Sequence, residues 1–239
     1  MYNRRFFDAV RHRLINATQT AVPRPAADAD TSRVTVFVDY QNLFYLLRKA
    51  YEVFPSGVHI PNLISDLLAT YGLKPGEIFL YTGVPSPTIA KEASVKMEKR
   101  LAWLRHLGVK VRTNELSYFT DRVSGKLVAR ERGIDVMLAT ELMVQVQAGA
   151  NQILVISNDQ GIAQAIRIAE DVALGQGRTL EAYSVIATEV DLKELARKEI
   201  CAEGIDFTLR LELPKSMVER HQIKLVPQEQ PFFETISAG

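Results

Sequence analysis

Apolar residues fall along the chain in two kinds of run. Short continuous runs rich in β-branched residues predict five strands: RVTVFVD (Arg33–Asp39), EIFLYT (Glu77–Thr82), Val109–Thr113, QILVIS (Gln152–Ser157) and Thr179–Ser184. Because these runs are continuous rather than alternating, both faces of the sheet should be covered. Between them, apolar positions three to four apart predict helices over Tyr40–Ala50, Ile60–Tyr71, Pro87–Leu107, Gly133–Gln147, Gln160–Leu174 and Asp191–Lys198. Gly72, Gly108 and Gly175 supply stop signals. Strands alternating with helices imply βαβ units, hence a three-layer α/β domain with a mainly parallel sheet over residues 33–200. Residues 114–129, with a turn at Ser124-Gly125, interrupt the alternation and read as a hairpin excursion.

The ends differ from this core. Residues 1–32 form a basic segment and linker: Arg4, Arg5, Arg11 and Arg13 accompany Phe6, Phe7, Val10 and Leu14 at roughly helical spacing, followed by TQTAVPRPAADADTS. Such a segment suits RNA, a membrane surface or a protein partner, or it folds back on its own domain. Residues 201–239 form a C-terminal extension. Within it, 205–213 could add an edge strand, and the tail from Pro214, with Pro227 and Pro231, is expected to dock loosely.

Composition excludes some classes and leaves others open. At 47% hydrophobic and 24% charged, the 239 residues are ordinary for a globular protein. A net charge of +1 creates no global field for a polyanion, so any such partner must meet local clusters of Lys and Arg. Cys201 is the one cysteine, which excludes an intrachain disulfide and a Cys-rich zinc site and fits a reducing compartment. No run of about 18 apolar residues offers a membrane span. The opening MYNRRFFDAVRHRL has no apolar stretch after its charges, so a cytoplasmic protein is expected. An oligomer is left open.

The candidate chemistry lies in the acids. Ligands of open α/β sheets bind beyond the carboxyl ends of the strands. Asp39 ends the first strand, Asp159 follows the fourth by two residues, and Asp135 starts a helix that runs antiparallel to the strands. All three are therefore expected at one edge. Ionised carboxylates held close together call for a cation, and an oxygen-rich set favours Mg²⁺ or Mn²⁺. Such an ion supports phosphodiester hydrolysis. The competing structural roles are helix capping for Asp159 and a favourable helix dipole for Asp135. Asn42, one helical turn after Asp39, can fix that rotamer or cap the helix. Ser157 and Asn158 add a hydroxyl and an amide at the same edge. Glu141 lies about 120° around the helix from Asp135 and is the weakest candidate ligand.

Three blocks carry a family likeness: VFVDYQNLFY (Val36–Tyr45), RERGIDVMLATELM (Arg130–Met143) and ILVISNDQGIAQAI (Ile153–Ile166). They resemble, in order and spacing over residues 33–185, the blocks of NYN domains. These belong to the PIN-like nuclease superfamily, and the LabA-like bacterial branch is nearest in flavour. The matching positions are Asp39 and Asn42; Arg132, Gly133, Asp135 and Val136, with the acid Glu141; and Ser157 with Asp159. The resemblance implies a five-stranded parallel sheet of order 3-2-1-4-5, a Mg²⁺ or Mn²⁺ site, and endonuclease activity on single-stranded RNA. One departure stands out: a further acid is usual where this chain has Gly161.

Around the excursion, Arg122, Lys126, Arg130 and Arg132 lie near Tyr118 and Phe119. A basic, aromatic flap suits a single-stranded polynucleotide, through phosphate neutralisation and base stacking. An ordinary charged hairpin is the bland alternative. The leading expectation is a metal-dependent ribonuclease, with Asp39, Asp135 and Asp159 at the ion and Asn42 and Ser157 positioning them. Its rival is a catalytically degenerate module of the same fold that grips RNA or a protein. A haloacid-dehalogenase-like phosphatase is a third reading, but it expects an Asp where Gln41 stands.

Overall fold

A computed structural model describes residues 32–123, 125–187 and 208–223. Strands β1 (Arg33–Asp39), β2 (Lys74–Val84) and β3 (Lys110–Glu115) alternate with helices α1 (Tyr40–Tyr51), α2 (Ile60–Thr70) and α3 (Lys91–His106). A hairpin of β4 (Ser117–Thr120) and β5 (Leu127–Arg130) follows. The chain continues through α4 (Ile134–Gln147), β6 (Gln152–Ile156), α5 (Gln160–Gly175), β7 (Glu181–Ala187), β8 (Leu209–Leu213) and α6 (Lys215–Arg220).

The domain is α/β with a parallel sheet, and the expected strand count and order need correction. The sheet has six strands in the order β3-β2-β1-β6-β7-β8, not five in the order 3-2-1-4-5. Two features account for the difference. The excursion forms a separate antiparallel pair, so β4 and β5 take places in the chain order without joining the sheet. At the other side, Leu209–Leu213 pairs in parallel with β7 and adds a strand. The helix expected at 191–198, the basic segment, Cys201 and the end of the tail lie outside the described residues.

Alternation along β1 shows why its run is apolar throughout. Val34, Val36 and Val38 point into a cluster with Leu43 and Leu47 of α1, Ile64 and Leu68 of α2, and Leu101 of α3. Phe37 points to the opposite face, where it stacks on Phe79 at 5.5 Å and meets Leu138 and Leu142 of α4 and Ile166 of α5. Both faces are therefore covered. Burial of a side chain of this size stabilises by about 1.5–3 kcal/mol, so β1 is a principal anchor of the fold.

The expectation of a loosely docked tail fails for residues 214–223. In α6, Met217 is 2% exposed and Val218 fully buried, both within the first cluster. Backbone bonds close the clasp: His59 N–H donates to the His221 carbonyl at 2.9 Å, and Ile223 N–H donates to that of Gly57 at 2.7 Å. Arg220 and His221 both reach Asp66 on α2. The charges around Met217 and Val218 hide a two-residue apolar anchor. Among the described residues, no helix is long and apolar enough to cross a membrane.

Candidate functional site

Parity places Asp39. It lies two residues after Phe37 and so faces the α4/α5 side, with Tyr81 of β2 as its register partner. It also caps α1. Its backbone is extended (φ −75°, ψ 109°), and its carboxylate accepts the Asn42 backbone N–H at 3.0 Å and the Asn42 side-chain amide at 2.6 Å. The capping role and a site role thus coincide in one side chain, whose rotamer Asn42 fixes.

Ser157 extends the arrangement across to β6. Its hydroxyl donates to Asp39 Oδ2 at 3.5 Å and accepts the Asp159 backbone N–H at 3.2 Å. Asp159 caps α5, where its Oδ1 accepts the Gly161 N–H at 2.5 Å. Asp39 is 7% exposed and Asp159 is exposed. Burial pushes the Asp39 carboxyl above the usual carboxylate range. The Asn42 bonds oppose that shift, and the nearby charge of Asp159 adds to it. Asp39, Asn42, Ser157 and Asp159 therefore form one connected group, and Asn158 stands half-buried between the last two.

Asp135 and Glu141 fare differently. The start of α4 does lie at the carboxyl edge, since Asn114 at the end of β3 donates its side-chain amide to the Arg132 carbonyl at 2.8 Å. Gly133, with φ 72°, turns the chain into that helix. Asp135 in its first turn is exposed, and its carboxylate has no hydrogen bond among the described residues. Glu141 bonds Arg112 of β3 at 3.2 Å and Gln145 at 3.1 Å, on the seam between β3 and α4. Its carboxylate is engaged by these two side chains.

No family model matches the chain, and no curated protein matches its sequence.

The donor set tests whether a divalent cation fits. Among the described residues, no group of three or more His, Cys, Asp or Glu side chains is arranged to hold a metal ion. The expected ligand set of three aspartates with Glu141 is therefore not assembled. What remains is a pair. Mg²⁺ usually takes one or two carboxylates and keeps several waters. Asp39 and Asp159 can supply those two, because each carboxylate has more lone pairs than the hydrogen bonds use. A cation beside them would also offset the burial and repulsion that disfavour ionised Asp39. The pair fits a water-rich Mg²⁺ or Mn²⁺ site.

The flap stands beside this edge. Arg122, Lys126, Arg130 and Arg132 are all exposed. Tyr118, expected as a stacking residue, instead anchors the hairpin by accepting the Ser86 N–H at 3.1 Å. Phe119 is 45% exposed and keeps a free face.

Glu131 is the acid that sequence reasoning passed over. It accepts the Gly83 N–H at 2.6 Å at the end of β2, and burial pushes its carboxyl up to about 7. The Gly83 bond opposes that shift and the charge of Asp39 reinforces it. Flanked by Arg130 and Arg132, it reads in sequence as part of a charged run. The one available signal was a glycine at a strand end, Gly83.

Proposed function

We propose that the chain is a metal-dependent endoribonuclease that hydrolyses phosphodiester bonds in single-stranded RNA. The observation that carries this reading is the Asp39–Ser157–Asp159 connection. The Ser157 hydroxyl donates to the Asp39 carboxylate at the end of β1 and accepts the backbone N–H of Asp159 just beyond β6. Buried Asp39 is unfavourably placed for ionisation without a cation. The NYN likeness of the same three blocks supports it.

Asp39 and Asp159 would hold the ion. Bound there, Mg²⁺ or Mn²⁺ supplies Lewis acidity toward the phosphate and the attacking water. Asn42 keeps Asp39 from rotating, and Ser157 fixes the spacing between the two acids. Arg122, Lys126, Arg130 and Arg132 neutralise strand phosphates, while Phe119 offers a stacking face for a base. Asn158 is placed to bond substrate beside Ser157, and exposed Asp135 is available for an outer contact through water.

The test is incubation of the full chain with labelled single-stranded RNA and Mn²⁺ or Mg²⁺, beside Asp39→Asn and Asp159→Asn. Metal-dependent cleavage lost in both variants supports the reading; RNA bound but uncut by wild type would defeat it. That second outcome belongs to a binding module without hydrolysis. It is favoured by the engagement of Glu141 with Arg112 and by the exposed, unbonded state of Asp135.

A further inference from the structure

Glu131 is held by an unusual fit. Gly83 sits two residues beyond Tyr81 on β2, on the same face, and Tyr81 pairs with Asp39. A Cβ on Gly83 would collide with Leu116 and lie 2.7 Å from Glu131 Cγ and 2.8 Å from Oε1. The absent side chain is therefore what admits the Glu131 carboxylate to the strand end. Oε1 takes the Gly83 N–H, and Oε2 has no hydrogen bond among the described residues. Neighbouring strands lie roughly 4.8 Å apart, so a group over Gly83 is a short step along the edge from Asp39.

We propose that Glu131 is the general acid of the site, donating its proton to the oxygen that leaves phosphorus. The proposal rests on the ribonuclease reading. In this step a water oxygen–phosphorus bond forms while the bond from phosphorus to the leaving ribose oxygen breaks. The Glu131 carboxyl proton passes to that leaving oxygen, the water's proton passes to solvent, and Glu131 is reprotonated from solvent. The work needs an acid that stays protonated near neutral pH yet sits within the site. Gly83 of β2 and Leu116 after β3 pack on Glu131 without charge. Burial raises the carboxyl to about 7 against the Gly83 bond, with a smaller push from Asp39 of β1, the charged side chain acting on it among the described residues. Asp39 and Asp159 are left for the cation and Glu131 for the leaving group.

The experiment compares two substrates with Mg²⁺ or Mn²⁺: a single-stranded RNA oligonucleotide and a nucleotide p-nitrophenyl phosphodiester, whose leaving phenolate needs no proton. Wild-type kcat on RNA should fall with rising pH as Glu131 loses its proton, while kcat on the nitrophenyl ester should not. Glu131→Gln keeps an acceptor for Gly83 but carries no acidic proton. It should lower kcat on RNA about 100-fold or more, with KM little changed, and leave the ester rate near wild type. Equal losses on both substrates, or an unchanged RNA rate, would overturn the proposal while leaving the ribonuclease reading intact. So would a flat wild-type RNA profile through neutrality, which decides the matter even if the variant does not fold. Wild type that cleaves neither substrate overturns both.

Discussion

Gly161 and Asp159 are mutually fitted: the Gly161 N–H donates to Asp159 Oδ1 at 2.5 Å, and a Cβ on Gly161 would lie 2.8 Å from that same oxygen. The position where an NYN-like block would carry another acid is thus one where a Cβ would make the capping oxygen of Asp159 shift. Glycine here is tied to the Asp159 rotamer, so the departure is more than the loss of a carboxylate.

Gly161→Ala tests that fit because two effects oppose each other. Replacing a helical glycine ordinarily stabilises by about 0.5–1 kcal/mol. Losing a side-chain cap costs about 0.5–2 kcal/mol. The cap should win, because the oxygen a Cβ would push aside is the one that takes the Gly161 N–H. A net loss on the order of 1 kcal/mol is expected in urea denaturation. A more stable variant would show that Asp159 can swing aside freely.

Stability should also depend on pH, with a defined sign. Asp39 and Glu131 both have folded-state pKa values above their ordinary ones, so folding favours their protonated forms. Their contribution is complete below the ordinary carboxylate range and is lost as pH rises. For Glu131 the window runs from 4.5 to about 7. One pKa unit is about 1.4 kcal/mol, so the chain should lose up to about 3 kcal/mol from Glu131 between pH 4.5 and 8. Glu131→Gln should therefore be more stable than wild type at pH 8 and similar to it at pH 4.5. A variant that is less stable at pH 8 would contradict this account.

The same strain predicts a response to ions. A cation that binds the folded chain alone stabilises it by about 2.7 kcal/mol at a hundred times its Kd. Mg²⁺ or Mn²⁺ should raise Tm more at pH 8 than at pH 5, because ionised Asp39 is the form that binds. Asp39→Asn and Asp159→Asn should abolish the rise. An equal rise in those variants would place the ion elsewhere.

How much of this was legible in the sequence differs by residue. The run Val34–Val38 announces a strand in either register, because both its faces are buried. Asp39, Asn42, Ser157 and Asp159 were legible as a group, since each sits within three residues of a buried strand end. Asp135 was placed correctly at an edge, but an edge is not a distance, and a first helical turn leaves its side chain free to face solvent. Glu141 and Glu131 depend on partners far along the chain: Arg112 lies 29 residues away and Gly83 lies 48 away. No periodicity reports such pairs. The docked tail was missed for a similar reason, because Met217 and Val218 are buried by α2, whose residues stand some 150 positions earlier.

That tail yields a strong prediction. Removing residues 209–239 takes away β8 and α6, and with them buried Leu211, Leu213, Met217 and Val218. At about 1.5–3 kcal/mol for each side chain, the loss approaches the whole stability of a typical domain. The truncated chain should lack a cooperative thermal transition. A milder probe is Met217→Ala, expected to cost about 2–5 kcal/mol. A truncated chain that melts like wild type would show that the clasp contributes little.

The flap makes the remaining prediction. Arg122, Lys126, Arg130 and Arg132 are exposed on or beside a hairpin anchored through Tyr118, so charge reversal there should leave the fold intact. Each phosphate contact contributes a slope of about −0.7 to log K against log salt for a single strand. Arg122→Glu combined with Arg130→Glu should weaken RNA binding and flatten that slope by about 1.4. Phe119→Ala should instead cost about 1–3 kcal/mol of binding with the slope unchanged, since stacking releases no counterions. Fluorescence anisotropy with a labelled oligonucleotide over a salt series separates the two. If neither changes RNA affinity, the strand runs elsewhere on the carboxyl edge and the hairpin is only a charged turn.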